Sequence, residues 1–378
     1  MMKILVLFVT RLILTPPAMT LAALPEPWVT GAPQEQQSCR IEIKKRATLG
    51  KLEDPFSVEM PVMVFVADVP WGGWVVTERS REVLEYDVQG VYRRLLGRSG
   101  EGPGEFRHPS SVVVDPTDST WVSDGRGRAV IFGPDGVYSR TLISANLFPI
   151  DGFTESGLPF SMLTKVAGIS AEPPTWRYAQ IWSREGERLS SLGPGHFTPA
   201  AQVGRTLELS PAFQSAVLGD TVAAVPGRGE FWLAFWSDSE EWAKIPTDSV
   251  RRALRQGRSP RSDRGGKPVA VTSDGRGGFW ILGTIRRLSE AEEEDLVRKT
   301  APPRGQVDPY FVRNSPSVSN EVQDGALIHV TPGGRITAGA SFDERPWGFA
   351  NSSQFFTFSE DEIGLIKINI WEFSHDCS

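Results

Sequence analysis

Between positions 97 and 142 the apolar residues fall into four short runs with turn residues between them. Residues 112–114 (Val-Val-Val) end at Asp115-Pro116, and residues 120–123 (Thr-Trp-Val-Ser) end at Asp124-Gly125. Residues 129–132 (Ala-Val-Ile-Phe) end at Gly133-Pro134-Asp135-Gly136, and residues 137–142 alternate apolar and polar positions. Short runs rich in β-branched and aromatic residues, bounded by Gly, Pro and Asp, predict antiparallel strands. Four of them in about 40 residues form one meander, the size of a propeller blade.

The pattern recurs. Gly90-Val91-Tyr92-Arg93-Arg94-Leu95-Leu96 repeats as Gly136-Val137-Tyr138-Ser139-Arg140-Thr141-Leu142, at an offset of 46 residues. Trp74-Val75 returns as Trp121-Val122, and the linker Gly102-Pro103-Gly104-Glu105-Phe106 as Gly193-Pro194-Gly195-His196-Phe197. The third strand with its turn returns at residues 181–186 and 328–334. This predicts blades at residues 60–98, 106–145, 150–193 and 207–245, one opening at 268, and a last one from 346. In the third blade the strands are expected at 159–165, 177–182 and 188–192; in the fourth, at 213–218, 221–225 and 231–236. A polar insertion (246–267) precedes the fifth blade, and a second (286–324) separates that blade's second and third strands, with an acidic stretch at 289–299 able to make a turn or two of helix. With both set aside, residues 39–377 divide into six units of about 46 residues. The last unit supplies only three strands, so residues 40–49 are expected to be its fourth and to close the ring. The expected class is therefore all-β, a six-bladed β-propeller of four-stranded antiparallel blades.

The order G-x-G-P-G-E-F-x-x-P, V-x-V-D, W-V-S-D and a third strand ending in P-D-G, over residues 97–142, resembles the NHL-repeat family of six-bladed propellers. The resemblance implies a fold and a binding scaffold, but no single activity, because that fold hosts recognition domains, lyases and sensors alike.

The first 23 residues resemble a secretory signal peptide: Met1-Met2-Lys3, an apolar stretch over 4–9, and small residues at Thr20-Leu21-Ala22-Ala23. Residues 24–38 are rich in Pro and Gln and read as a disordered linker, leaving 39–378 as the propeller. No other stretch approaches the ~18 apolar residues a membrane helix needs. A secreted or periplasmic monomer is expected. A net charge of −6 gives no general attraction to nucleic acid. The only two cysteines, Cys39 and Cys377, flank the place of the hairpin turn that the last blade lacks. A disulfide between them would replace that turn, and an exported protein meets the oxidising conditions it needs; two unrelated thiols are the alternative.

Asp124-Gly125-Arg126-Gly127-Arg128 joins a second strand to a third, a connection on the face where NHL-like propellers commonly bind ligands. Arg79 and Arg81 occupy the matching connection of the first blade, and Arg107 and His108 lie in the linker on the same face. Arg79, Arg107, His108, Asp124, Arg126 and Arg128 together could bind a small anionic ligand or a protein partner; solvated loop arginines fit the same residues. The second Asp-Gly-Arg-Gly, at 274–277, joins a first strand to a second and belongs to the opposite face.

Enzymatic chemistry finds thinner support. NHL-like propellers with peptide-amidating lyase activity hold zinc through channel histidines, but of His108, His196, His329 and His375 only the first two fall near the channel mouth, and a catalytic zinc usually takes three protein ligands. Asp68, Asp115 and Asp124 end strands and could face a channel Ca²⁺, although Asp-Pro and Asp-Gly are ordinary turn chemistry. There is no G-x-S-x-G elbow, P-loop or dinucleotide fingerprint. Trp182, Trp232, Trp236 and Trp280 sit within strands and are expected in the core. The expected function is a non-catalytic binding scaffold without a cofactor. The alternatives are a metal-dependent lyase or hydrolase at the channel mouth, and a structural subunit of an envelope complex docked through the two insertions.

Overall fold

The computed structural model describes residues 39–51, 54, 64–77, 83–125, 127–144, 149–154, 156–162, 179–192, 215–218, 221–224, 234–236, 267–300, 309–331 and 335–376. The signal segment, the 24–38 linker and residues 246–266 of the insertion expected at 246–267 lie outside these residues.

The described strands form antiparallel sheets laid out as a β-propeller. The first sheet contains β2 (Phe65–Asp68), β3 (Trp74–Thr77), β4 (Val83–Tyr86) and β5 (Tyr92–Ser99), in that order. The short β6 (Glu105–Phe106) adds to β5 in parallel. The second sheet is β7 (Pro109–Val114), β8 (Thr120–Asp124), β9 (Arg128–Phe132) and β10 (Tyr138–Ile143). The third is β11 (Gly152–Phe153), β12 (Pro159–Met162), β13 (Ala179–Trp182) and β14 (Arg188–Leu192). Three described strands follow, β15 (Ser215–Leu218), β16 (Thr221–Ala224) and β17 (Ala234–Trp236). Then come β18 (Lys267–Ser273), β19 (Phe279–Arg286), β20 (Gln323–Val330) and β21 (Ile336–Phe342). The last sheet is β22 (Pro346–Asn351), β23 (Gln354–Glu360) and β24 (Ile366–Asp376), with β1 (Arg40–Leu49) on its outer edge. Five sheets thus have four or more strands, and one has three among the described residues. The β1–β24 ladder runs from Arg40 opposite Asp376 to Leu49 opposite Ile368.

One expectation is corrected. The strand expected to open the third blade at Pro159 is its second, because Gly152 and Phe153 pair with Phe160 and Pro159 and take the innermost place. Two residues are too short a run to give a periodic signal.

The spacing of the repeat has a local cause. The hairpins between third and fourth strands of the first three sheets turn on Gly90, Gly136 and Gly186, and the hairpin between the second and third strands of the last sheet turns on Gly364, at φ of 77°, 73°, 87° and 84°. Each glycine donates its N–H three residues back, to Asp87, Gly133, Ser183 and Asp361 at 2.8, 2.9, 3.1 and 2.9 Å. Only glycine enters this left-handed region without steric cost, so the turn residue recurs in these four hairpins.

The core lies between sheets. Trp74, Val76, Leu84 and Tyr86 pack against Phe356, Phe358, Ile368 and Ile370 of the last sheet. Val75, Val83 and Phe106 meet Val112, Val122 and Phe132; Trp121 and Ile131 meet Ile150 and Trp182; Trp280, Leu282 and Leu327 meet Phe349, Phe355 and Phe373. Each face is apolar because each is covered by a neighbouring sheet, which removes it from water. Trp182 and Trp280 are core residues as expected, at 1% and 2% exposure; Trp232 and the Trp236 side chain lie outside the described residues. Arginines on successive fourth strands clasp the next sheet: Arg94 donates to the Gly136 carbonyl at 3.4 Å and Arg140 to the Arg184 carbonyl at 2.9 Å.

The second insertion leaves the sheet between β19 and β20 and is more helical than its acidic stretch suggests. It contains α1 (Glu290–Thr300), α2 (Pro309–Asn314) and α3 (Pro316–Val322). Ser289 and Glu292 start α1 as a capping box: the Ser289 hydroxyl accepts from the Glu292 N–H at 3.2 Å, and the Glu292 carboxylate accepts from the Ser289 N–H at 2.7 Å. Buried Glu293 pairs with Arg286 and, at 3.1 Å, with Arg313. Asn320 donates to the Phe358 carbonyl at 2.8 Å and accepts from the Arg345 N–H at 2.9 Å, fastening α3 to the last sheet.

Candidate functional site

Four of the six residues expected to bind a ligand come together where β7 starts and β8 ends. Asp124 is buried, and its Oδ1 accepts the backbone N–H groups of Arg107 at 2.8 Å and His108 at 2.5 Å. Its Oδ2 accepts from Arg128 Nη1 at 2.6 Å, while Arg128 Nη2 donates to the carbonyls of Glu101 at 3.3 Å and Gly102 at 3.1 Å. The Arg107 guanidinium pairs with the Glu101 carboxylate. Two guanidiniums therefore face two carboxylates, and the described part of this cluster is not the cationic mouth the sequence suggested. Its geometry holds the 101–108 linker onto the second sheet. Arg79 and Arg126 lie outside the described residues, as does His196.

Asp115 follows the turn reading. Its Oδ1 accepts from the N–H groups of Thr117 at 2.9 Å and Ser119 at 2.8 Å, and its Oδ2 accepts from Trp121 Nε1 at 3.1 Å and pairs with Arg184 at 3.2 Å. It shapes a loop and ties the second sheet to the third.

Asp68 does not. It ends β2 and lines a central cavity of about 440 Å³. The walls are the inner strands β2, β7, β11, β18 and β22, with Phe160 of β12. In a propeller the inner strands leave one backbone edge unpaired, so N–H and C=O groups face the axis beside whatever side chains end there. Asn351 Nδ2 donates to Asp68 Oδ2 at 2.9 Å. Burial pushes the Asp68 carboxyl above its ordinary pKa, against the Asn351 hydrogen bond and the Arg46 charge, which pull the other way. Phe65, Phe153 and Phe349 also line the cavity. Asp68, Ser273 and Asn351 all sit where a first strand turns into a second, the end opposite to the Asp124 cluster. The Asp274–Gly278 turn lies at that same end, as expected, and its Gly275 reaches the cavity.

A second polar cluster stands behind that turn. His329 Nε2 faces Asp274 Oδ2 at 2.8 Å and Nδ1 faces Thr337 Oγ1 at 2.5 Å. A carboxylate only accepts, so Nε2 carries the proton. The His375 ring stacks on His329 at 5.2 Å, and Trp280 lies 4.7 Å from one ring and 5.0 Å from the other. The sequence placed these histidines in distant strands, and only the contact between the last two sheets joins them. Burial works against the Asp274 charge, but the N–H groups of Arg276 and Gly278 and the His329 contact outweigh it and leave its pKa below the ordinary value. Burial, then repulsion from His329, lowers the His375 pKa, with Arg276 adding to the effect and Asp274 and Asp376 opposing it. A histidine with a lowered folded pKa contributes its full stability above the ordinary imidazole range and loses it as pH falls below that range. The melting temperature should therefore drop as the pH falls below about 6.5, and His375→Gln should remove part of that drop; an unchanged pH slope would show that the stack carries no such linkage. Among the described residues no group of three or more His, Cys, Asp and Glu is placed to hold a metal ion. No described helix is long and apolar enough to cross a membrane.

No protein-family model and no curated protein sequence matches the chain. Solved structures do. A member of the DUF4221 family from Bacteroides vulgatus ATCC 8482 superposes with a TM-score of 0.52 at 10% identity, covering 91% of this chain and 100% of that one. A protein assigned as exported from Bacteroides fragilis NCTC 9343 gives 0.50 at 9% identity, over 90% and 96%. At such identities the likeness concerns the fold alone.

Proposed function

We propose that the protein is an extracytoplasmic, NHL-like propeller of six blades that acts as a non-catalytic binding scaffold and takes a small ligand in its central cavity. The observation that carries this reading is the cavity itself, walled by the edges of inner strands and furnished with the Asp68–Asn351 pair. Concave sites with mostly apolar walls and a few convergent polar groups are the usual place for small ligands. Six blades fit the inner strands: β2 lies beside β22 and β7, β15 beside β11 and β18, and β18 beside β22. Ser111 donates to the Ile150 carbonyl at 3.0 Å across the remaining seam, between the second and third sheets. The β1–β24 ladder supports closure of the ring by the N-terminal strand. Export is supported by the N-terminal pattern and by a disulfide-bonded Cys39. The test is native mass spectrometry of protein purified from the compartment it is exported to. A small molecule should co-purify, be recovered chemically unchanged after incubation, and be lost from Ser352→Trp, which narrows the cavity from an exposed turn. Conversion of that molecule would replace the scaffold reading with an enzymatic one, and retention by Ser352→Trp would move the site elsewhere.

A further inference from the structure

We infer that the central cavity selects a small organic cation, an ammonium-bearing ligand with Asp68 as its counter-ion. The inference rests on the cavity being the ligand site. The described lining holds two carboxylates, Asp68 and Asp151, and no Lys, Arg or His. The Asn351 bond occupies Asp68 Oδ2, and Oδ1 has no hydrogen-bond partner among the described residues. Asp68 is partly withdrawn from water and makes no ion pair among the described residues, and a cation beside it recovers part of the lost solvation. The raised Asp68 pKa is the mark of that loss. Phe65, Phe153, Phe160 and Phe349 line the cavity as well, among small and aliphatic residues of the inner strands. Aromatic rings attract ammonium groups and shield them from solvent. An anion would meet the like charge of Asp68.

The experiment titrates the full exported chain with choline, its uncharged carbon isostere 3,3-dimethylbutanol, the anion 3,3-dimethylbutyrate and calcium chloride. Choline should bind at least tenfold more tightly than either isostere. Asp68→Asn should abolish that preference without lowering the melting temperature, since the substitution keeps the shape and removes a half-buried charge. Choline affinity should also fall as the pH drops through the Asp68 titration, while that of 3,3-dimethylbutanol stays flat. Equal binding of choline and its isostere, tighter binding of the anion or of calcium, or unaltered choline binding by Asp68→Asn overturns the inference. If choline fails while a neutral or anionic molecule co-purifies in the cavity, the cation inference falls and the scaffold reading stands; if no small molecule of any class is held, both fall.

Discussion

Reduction of the purified protein, or Cys39→Ser, should lower its stability by about 2–5 kcal/mol, a shift of several degrees in melting temperature. Cys39 is disulfide-bonded, and the chain has one other cysteine, Cys377. Position 377 lies outside the described residues, but its neighbour Asp376 stands opposite Arg40, one residue from Cys39, at the end of the β1–β24 ladder. A Cys39–Cys377 bond would replace a hairpin turn between strands that lie at opposite ends of the sequence. A cross-link between such distant positions removes much of the unfolded chain's freedom, which is why the expected effect is large. The check is a thiol count on denatured, unreduced protein, with melting curves recorded with and without reductant. Two titratable thiols, or superimposable curves, would contradict it.

Trp74→Ala should cost a further ~3–5 kcal/mol. Trp74 is 2% exposed and fills the seam between the first and last sheets among Tyr86, Phe356, Phe358 and Ile370. Its Nε1 donates to Gln354 Oε1 at 2.9 Å, across that seam. Trp74→Phe keeps most of the packing and loses the hydrogen bond, so it should cost about 1 kcal/mol. Chemical denaturation of both variants separates the two contributions. If Trp74→Ala proves no worse than Trp74→Phe, the seam is not closed by packing as described here.

The Trp74–Trp121 pair shows how far the sequence carries. Both tryptophans occupy the same place in the repeat and both are buried. Yet Trp74 Nε1 reaches Gln354 of another sheet, whereas Trp121 Nε1 reaches Asp115 in its own. The repeat announces a buried indole; it does not say which acceptor the neighbouring sheet will bring. Arg94 and Arg140, also equivalent, do keep one role, because each reaches the same hairpin of the sheet that follows it.

What the sequence determined by itself was local: strand-sized runs, the glycine turns, and the two cysteines beside an absent turn. Strand periodicity and left-handed glycines are properties of a few consecutive residues, so they are written in the order of the chain. The tertiary structure decided which charges are used up and which are not. Asp68, Asp115 and Asp124 all end strands, but Asp115 and Asp124 are taken by Trp121, Arg184 and Arg128, while Asp68 is left at the cavity wall. Arg107 and Arg128, which read as a cationic mouth, are paired with Glu101 and Asp124. His329 and His375 stack only because the last two sheets meet. The partner of a side chain depends on residues tens or hundreds of positions away, and no local pattern records that distance.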